Sequence, residues 1–268
     1  MKILQPILSC HRQSLVAEWN GFYSLYGKIT FRPVINLERN IKMEKIIDLS
    51  GQLKEGLWGY YQLPGLENII PGVEVKPVAT VEKDGFFASK IGFSSISGTY
   101  MEAGSHILEK GKNLDDYCVE DFIKPVKIIK LPEQKEKALI DAALLEKNAP
   151  DIKPGDALII DTGWGKMWNK PGYVLKCPNM LTNAVRWVIE KDISIFGVDI
   201  PCIEASWSED DEEEKGGLLG ALFEKGALLV APLVNLDRIT GTEGKLICLP
   251  LSVKGTSGAP ARVVFIEE

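Results

Sequence analysis

Histidine is almost missing: the 268-residue chain carries only His11 and His106. A metal site built from a cluster of imidazoles is therefore excluded by counting. Cysteine is sparse as well, with Cys10, Cys118, Cys177, Cys202 and Cys248 forming no C-x-x-C pair. An odd, scattered set fits reduced thiols better than a disulfide framework. No stretch approaches the roughly 18 apolar residues that a spanning helix needs, so no membrane partner is expected. The N-terminal apolar patch is broken by Gln5 and Pro6 and makes a poor secretory leader, which gives a cytoplasmic expectation. Cationic excess is lacking too: 31 Lys and Arg face 37 Asp and Glu, a net charge of -6. Nucleic-acid binding, which rests on clustered Lys and Arg against phosphates, is not expected. A small molecule is the expected partner.

What is present describes a folded body. A hydrophobic fraction of 45% beside a charged fraction of 25% is ordinary for a globular protein. The length suits one large domain. Residues 1–42 mix aromatic and basic side chains without a helical or alternating period. They read either as an N-terminal extension or as an upstream reading of a chain whose natural start is Met43, leaving 43–268 as the domain.

From Met43 onward, strand and helix patterns alternate. IID enters a turn-prone SGQ, and VEVKPVATV (73–81), FFASKIGFSSI (86–96) and PVKIIKL (125–131) are β-rich. PEQKEKALIDAALLEK (132–147) opens on Pro132 and spaces its apolar residues as an amphipathic helix does. GDALIIDTG, TNAVRWVIEKD and ISIFGVDI then read as strand, helix and strand. GLLGALFEKG follows as a helix closed by Gly226, and ALLVAPLVNL, KLICLPLSV and ARVVFIE as further strands. The expected class is α/β, a parallel or mixed sheet with helices packed around it.

The stretch SGTYMEAGSH (97–106) puts a Gly-Thr turn, a tyrosine, a glutamate and the second histidine within ten residues. Together with GDALIIDTGWGKMW (155–168), GVDIPCIE (197–204), APLVNLDRITG and SGAPARVV, in this order and spacing, it resembles the cyclase or kynurenine formamidase-like (arylformamidase) family of metal-dependent hydrolases. The resemblance runs from IIDLS (46–50) to the C-terminus. It implies the swivelling β/β/α fold in a single domain, homo-oligomers, and hydrolysis of amide or cyclic amide and lactone bonds with zinc or manganese.

The family's hallmark, H-x-G-T-H-x-D-x-P-x-H, falls on Ile96 to His106. Gly98 and Thr99 are kept, and Ile96, Tyr100 and Glu102 stand for two histidines and the aspartate. The later histidine and glutamate fall at Leu219 and Ala231. A zinc site needs three or four N, O or S ligands at about 2.0–2.3 Å. One carboxylate, one imidazole and a phenol that ionises near pH 10 do not supply them. No metal cofactor is expected, and the motif reads as the remnant of a metal site.

Each remaining candidate has a bland reading beside the sharp one. Glu102 and His106 read as a satisfied polar pair in an old pocket or as a residual catalytic acid/base pair. Cys202, at the family's serine position, is either a packing residue or a nucleophile. Trp164 either lines the pocket, where its ring would stack on a flat ligand, or packs in the core. Ile96, Tyr100, Leu219 and Ala231 complete the expected substrate-binding wall, converging near Trp164. The acidic run 209–214 reads as a solvated loop, since it lacks the spacing and glycine of a calcium loop. Two functions follow: a non-catalytic relative holding a small aromatic or acyl ligand, or a divergent hydrolase acting through His106 and Glu102.

Overall fold

In the computed structural model the described residues are 44–203 and 218–267. Residues 1–42 and the acidic run lie outside them, and so do the expectations placed there. The chain from Met43 onward forms one unit. Its strands are β1 (Lys45–Asp48), β2 (Glu74–Ala79), β3 (Ala88–Gly92), β4 (Tyr100–Glu102), β5 (Ile123–Lys130), β6 (Leu139–Ile140), β7 (Ala157–Asp161), β8 (Asn179–Met180), β9 (Ile195–Val198), β10 (Leu228–Ala231), β11 (Glu243–Pro250) and β12 (Gly258–Glu267). Its helices are α1 (Val81–Asp84), α2 (Ala142–Asn148), α3 (Thr182–Glu190) and α4 (Leu218–Glu224).

Eight strands make one mixed sheet in the order β1-β12-β11-β5-β7-β9-β10-β4. β5, β7, β9 and β10 run parallel to one another, while β11, β12 and β4 join antiparallel. The long β12 pairs with β11 over most of its length and with β4 through Gly258, Ala259 and Pro260. That second pairing closes the sheet into a barrel-like ring and leaves β4 without a free edge. The expected α/β class and family fold are what the chain adopts.

Alternation along the strands divides the core in two. Met101, Val126, Ile128, Ile159, Val230 and Phe265 belong to one buried cluster, which fills the barrel. Their neighbours Tyr100, Ile129, Ile160, Phe196 and Leu229 belong to the other, together with Val185 and Val188 of α3 and Leu222 of α4. A period of two residues sends alternate side chains to opposite faces, so the second cluster is the layer between barrel and helices. β2 and β3 form a separate two-stranded ribbon.

The helix expected over 132–147 is shorter and later. Residues 139–140 pair instead with β8, and Lys137 adopts φ 54°. α2 starts only after Asp141, whose carboxylate accepts the Leu144 N–H at 2.8 Å. A capping aspartate and a short tertiary pairing outweigh the helical spacing upstream of them. Gly226 does follow α4, at φ 81°. Among the described residues no helix is long and apolar enough to cross a membrane.

Candidate functional site

The Gly98-Thr99 turn places β4. Gly98 has φ 69°, and a Cβ there would lie 2.4 Å from Leu53 Cδ2. Glycine is therefore required twice over, by backbone conformation and by space. The Thr99 hydroxyl donates to the Pro232 carbonyl at 2.6 Å and accepts the Gly51 N–H at 2.9 Å. One buried side chain thus ties together the segments after β1, before β4 and after β10. Tyr100 and Glu102 then point to the helix-covered face, and Met101 between them into the barrel.

On that face lies a cavity of about 210 Å³, lined by Tyr60, Leu66, Ile96, Tyr100, Glu102, His106, Pro201, Cys202, Ile203, Leu219 and Leu229. Six of the eight side chains singled out from the sequence therefore share one wall: Ile96, Tyr100, Glu102, His106, Cys202 and Leu219. Ala231 stands beside it, opposite Tyr100 in the β10–β4 ladder. The side chain that β10 sends to the cavity is Leu229, two residues earlier on the same face. Trp164 is placed away from the lining. Its ring is buried in the shared core, and its N–H donates to the Tyr173 carbonyl at 3.0 Å.

Tyr60, Leu66, Pro201, Ile203 and Leu229 complete the wall without having been singled out. Pro201 and Ile203 flank Cys202 in the quoted GVDIPCIE segment, so they were within reach of a sequence reading. Tyr60 was not, since it sits in a one-turn 3-10 helix, Tyr60–Gln62, in a stretch with no period. An aromatic group backs this side: Trp58 meets Trp168 edge to face at 5.0 Å, and Tyr60 meets Tyr100 at 6.2 Å.

Glu102 is 2% exposed, and its Oε1 lies 3.2 Å from Nε2 of His106, an exposed residue whose side chain retains 32% of its accessibility. Burial raises the Glu102 carboxyl to about 8, and burial lowers the His106 imidazole. Both shifts favour uncharged forms, so near pH 7 a carboxylic acid faces a neutral imidazole across this contact. Burial likewise raises the Tyr60 and Tyr100 phenols well above their usual range. The buried Cys177 thiol donates to the Val174 carbonyl at 3.4 Å, and burial raises it well above the usual thiol range. Cys202 shares the cavity wall with His106, whose Nε2 is turned to Glu102.

The donor set can be compared with what a metal pair requires. Glu102 and His106 are two groups, and Tyr100 is a phenol hydrogen-bonded to Tyr60. Among the described residues no three His, Cys, Asp or Glu side chains are grouped so as to hold a metal ion. These residues do not fit a dinuclear centre, which needs bridging and terminal ligands on both ions.

Comparison with known proteins gives the lineage of this architecture. A family described as "Putative cyclase" matches residues 47–205. A kynurenine formamidase of Bacillus cereus is 26% identical over 177 residues, covering 66% of this chain and 78% of that protein. One from Bacillus thuringiensis is 28% identical over 180 residues, with the same coverage. Among solved structures, isatin hydrolase A from Labrenzia aggregata bound to benzyl benzoate superposes with a TM-score of 0.72 at 21% identity. That match covers 83% of this chain and 93% of the hydrolase.

Proposed function

We propose that this chain, which belongs to the cyclase family, uses the cavity beside β4 to bind a small aromatic or acyl ligand, with little or none of the metal-dependent hydrolysis of its relatives. One observation carries the reading: Ile96, Tyr100 and Leu219 stand in the same wall as Glu102 and His106. At the stations where the family motif places metal ligands, an apolar lining now surrounds one neutral acid–imidazole pair. Exchanging ligating side chains for Ile and Leu removes charge and adds surface that water leaves readily. A cavity of about 210 Å³ compares with engineered apolar cavities of about 150 Å³ that take up benzene. The kinship with kynurenine formamidases and an isatin hydrolase makes compounds with an amide or lactam on an aromatic ring the first class to try.

The test is calorimetric titration of the full chain with small neutral aromatic amides, repeated on Ile96→Trp, which fills the cavity. Binding that the tryptophan abolishes, at an unchanged melting temperature, is expected. Absence of binding, or binding indifferent to Ile96→Trp, would overturn the reading.

A second reading is favoured by the 3.2 Å contact between Glu102 and His106. A carboxyl that keeps its proton to about pH 8 is suited to protonate a leaving amine, with the imidazole as its proton partner. In that case the protein is a divergent hydrolase of amide or lactone bonds. Slow turnover that persists in chelator and is abolished by both Glu102→Gln and His106→Ala would select it.

A further inference from the structure

The two phenols of the cavity form a hydrogen-bond chain with only one possible direction. A carbonyl oxygen accepts and never donates, so the Tyr60 hydroxyl spends its proton on the Pro201 carbonyl. The Tyr60 and Tyr100 oxygens are 2.7 Å apart. A phenol has a single proton, and that of Tyr60 is already used, so Tyr100 donates to Tyr60. Neither tyrosine has a proton left for a ligand. What Tyr100 retains is a lone pair, on a residue that lines the cavity and is only 4% exposed.

The rest of the polar lining sharpens this. Glu102 and His106 are engaged with each other, and none of the described lining residues is a Lys or Arg. A carboxylate ligand would meet no cation among them. A ligand bringing an N–H would meet the Tyr100 oxygen as an acceptor, and a buried N–H left without one is costly.

We propose that Tyr100 is the specificity-determining residue of the cavity, its oxygen accepting a hydrogen bond from the N–H of an uncharged aromatic ligand such as an indole, lactam or anilide. The inference rests on the ligand-binding reading above. It names which ligands bind, where that reading asserts only that they do. Tyr60 acts through Tyr100: by taking its proton it keeps Tyr100 an acceptor.

Indole and benzofuran, matched in shape but differing in N–H against O, are suitable probes. Each is titrated into the full chain, and the quantity read is the ratio of the two affinities. Wild type is expected to prefer indole roughly fivefold to tenfold, the worth of one hydrogen bond. Tyr100→Phe should weaken indole to within about twofold of benzofuran while leaving benzofuran nearly unchanged, which a general packing defect would not do. Tyr60→Phe leaves the Tyr100 proton unspent, so there too the preference should shrink. If Tyr100→Phe fails to fold, the wild-type ratio and Tyr60→Phe decide. Equal affinities in wild type, or a preference that survives the substitutions, would overturn the inference while the ligand-binding reading stands. Failure of both probes where aromatic amides bind would overturn the inference alone; failure of the probes and the amides together would overturn both.

Discussion

Leu229 stands directly across the β10–β4 ladder from Glu102, while Gly258 of β12 faces the same glutamate from the other side. A Cβ at Gly258 would lie 3.3 Å from Glu102 Cγ. The carboxyl is thus enclosed on both flanks by strands that offer it no cation. Its burial, and the proton it keeps, follow from this placement.

The pH dependence of stability should show it. The folded carboxyl holds its proton to about 8, against an ordinary value of 4.5. Between those values the folded state binds a proton that the unfolded chain has released. The associated stability is fully present below about pH 4.5 and lost as pH rises through about 8. His106 acts in the opposite sense: its lowered value makes folding costlier as pH falls below about 6.5. Glu102→Gln removes the first effect alone. Relative to that variant, wild type should lose on the order of a few kcal/mol between pH 5 and pH 9, measured by urea unfolding at each pH. A flat difference would place Glu102 in a solvated or charge-paired setting instead.

Thr99→Val keeps the side-chain shape and removes the hydroxyl that links Gly51 to Pro232. Two groups in a buried junction lose their partner, so destabilisation of about 1–3 kcal/mol is expected by denaturant melting. A change below about 0.5 kcal/mol would show that the turn holds β4 without this tie.

A chain starting at Met43 should express and melt as the full chain does. The described fold is one unit beginning there. Its first strand, β1, is held by pairing with β12 and by the Lys45–Glu267 ion pair at 2.7 Å. A loss of more than about 3 kcal/mol, the scale of a core defect, would show that residues 1–42 belong to the fold.

The sequence made every barrel strand but the short β4 legible because their apolar runs are bounded by Gly, Pro and Asp, and because β7 and β9 are buried on both faces. It also made most of the cavity wall legible, since the kept Gly98-Thr99 turn fixed the register of Ile96, Tyr100, Glu102 and His106. Three further features were not legible. The start of α2 depends on Asp141 and on a two-residue pairing that no local period records. Tyr60 enters the cavity from an aperiodic segment 40 positions before Tyr100. Trp164 reads equally well as a pocket ring or a core ring, and only the position of the Tyr173 carbonyl decides which way its indole turns.

The most direct test of the account is the hydrolysis of N-formylkynurenine by the purified full chain, with zinc or manganese supplied in excess and with both withheld. The account predicts that added metal leaves the rate unchanged and close to that of buffer, because no three His, Cys, Asp or Glu side chains among the described residues are grouped so as to hold a metal ion. Turnover that appears with metal and disappears with chelator would contradict it.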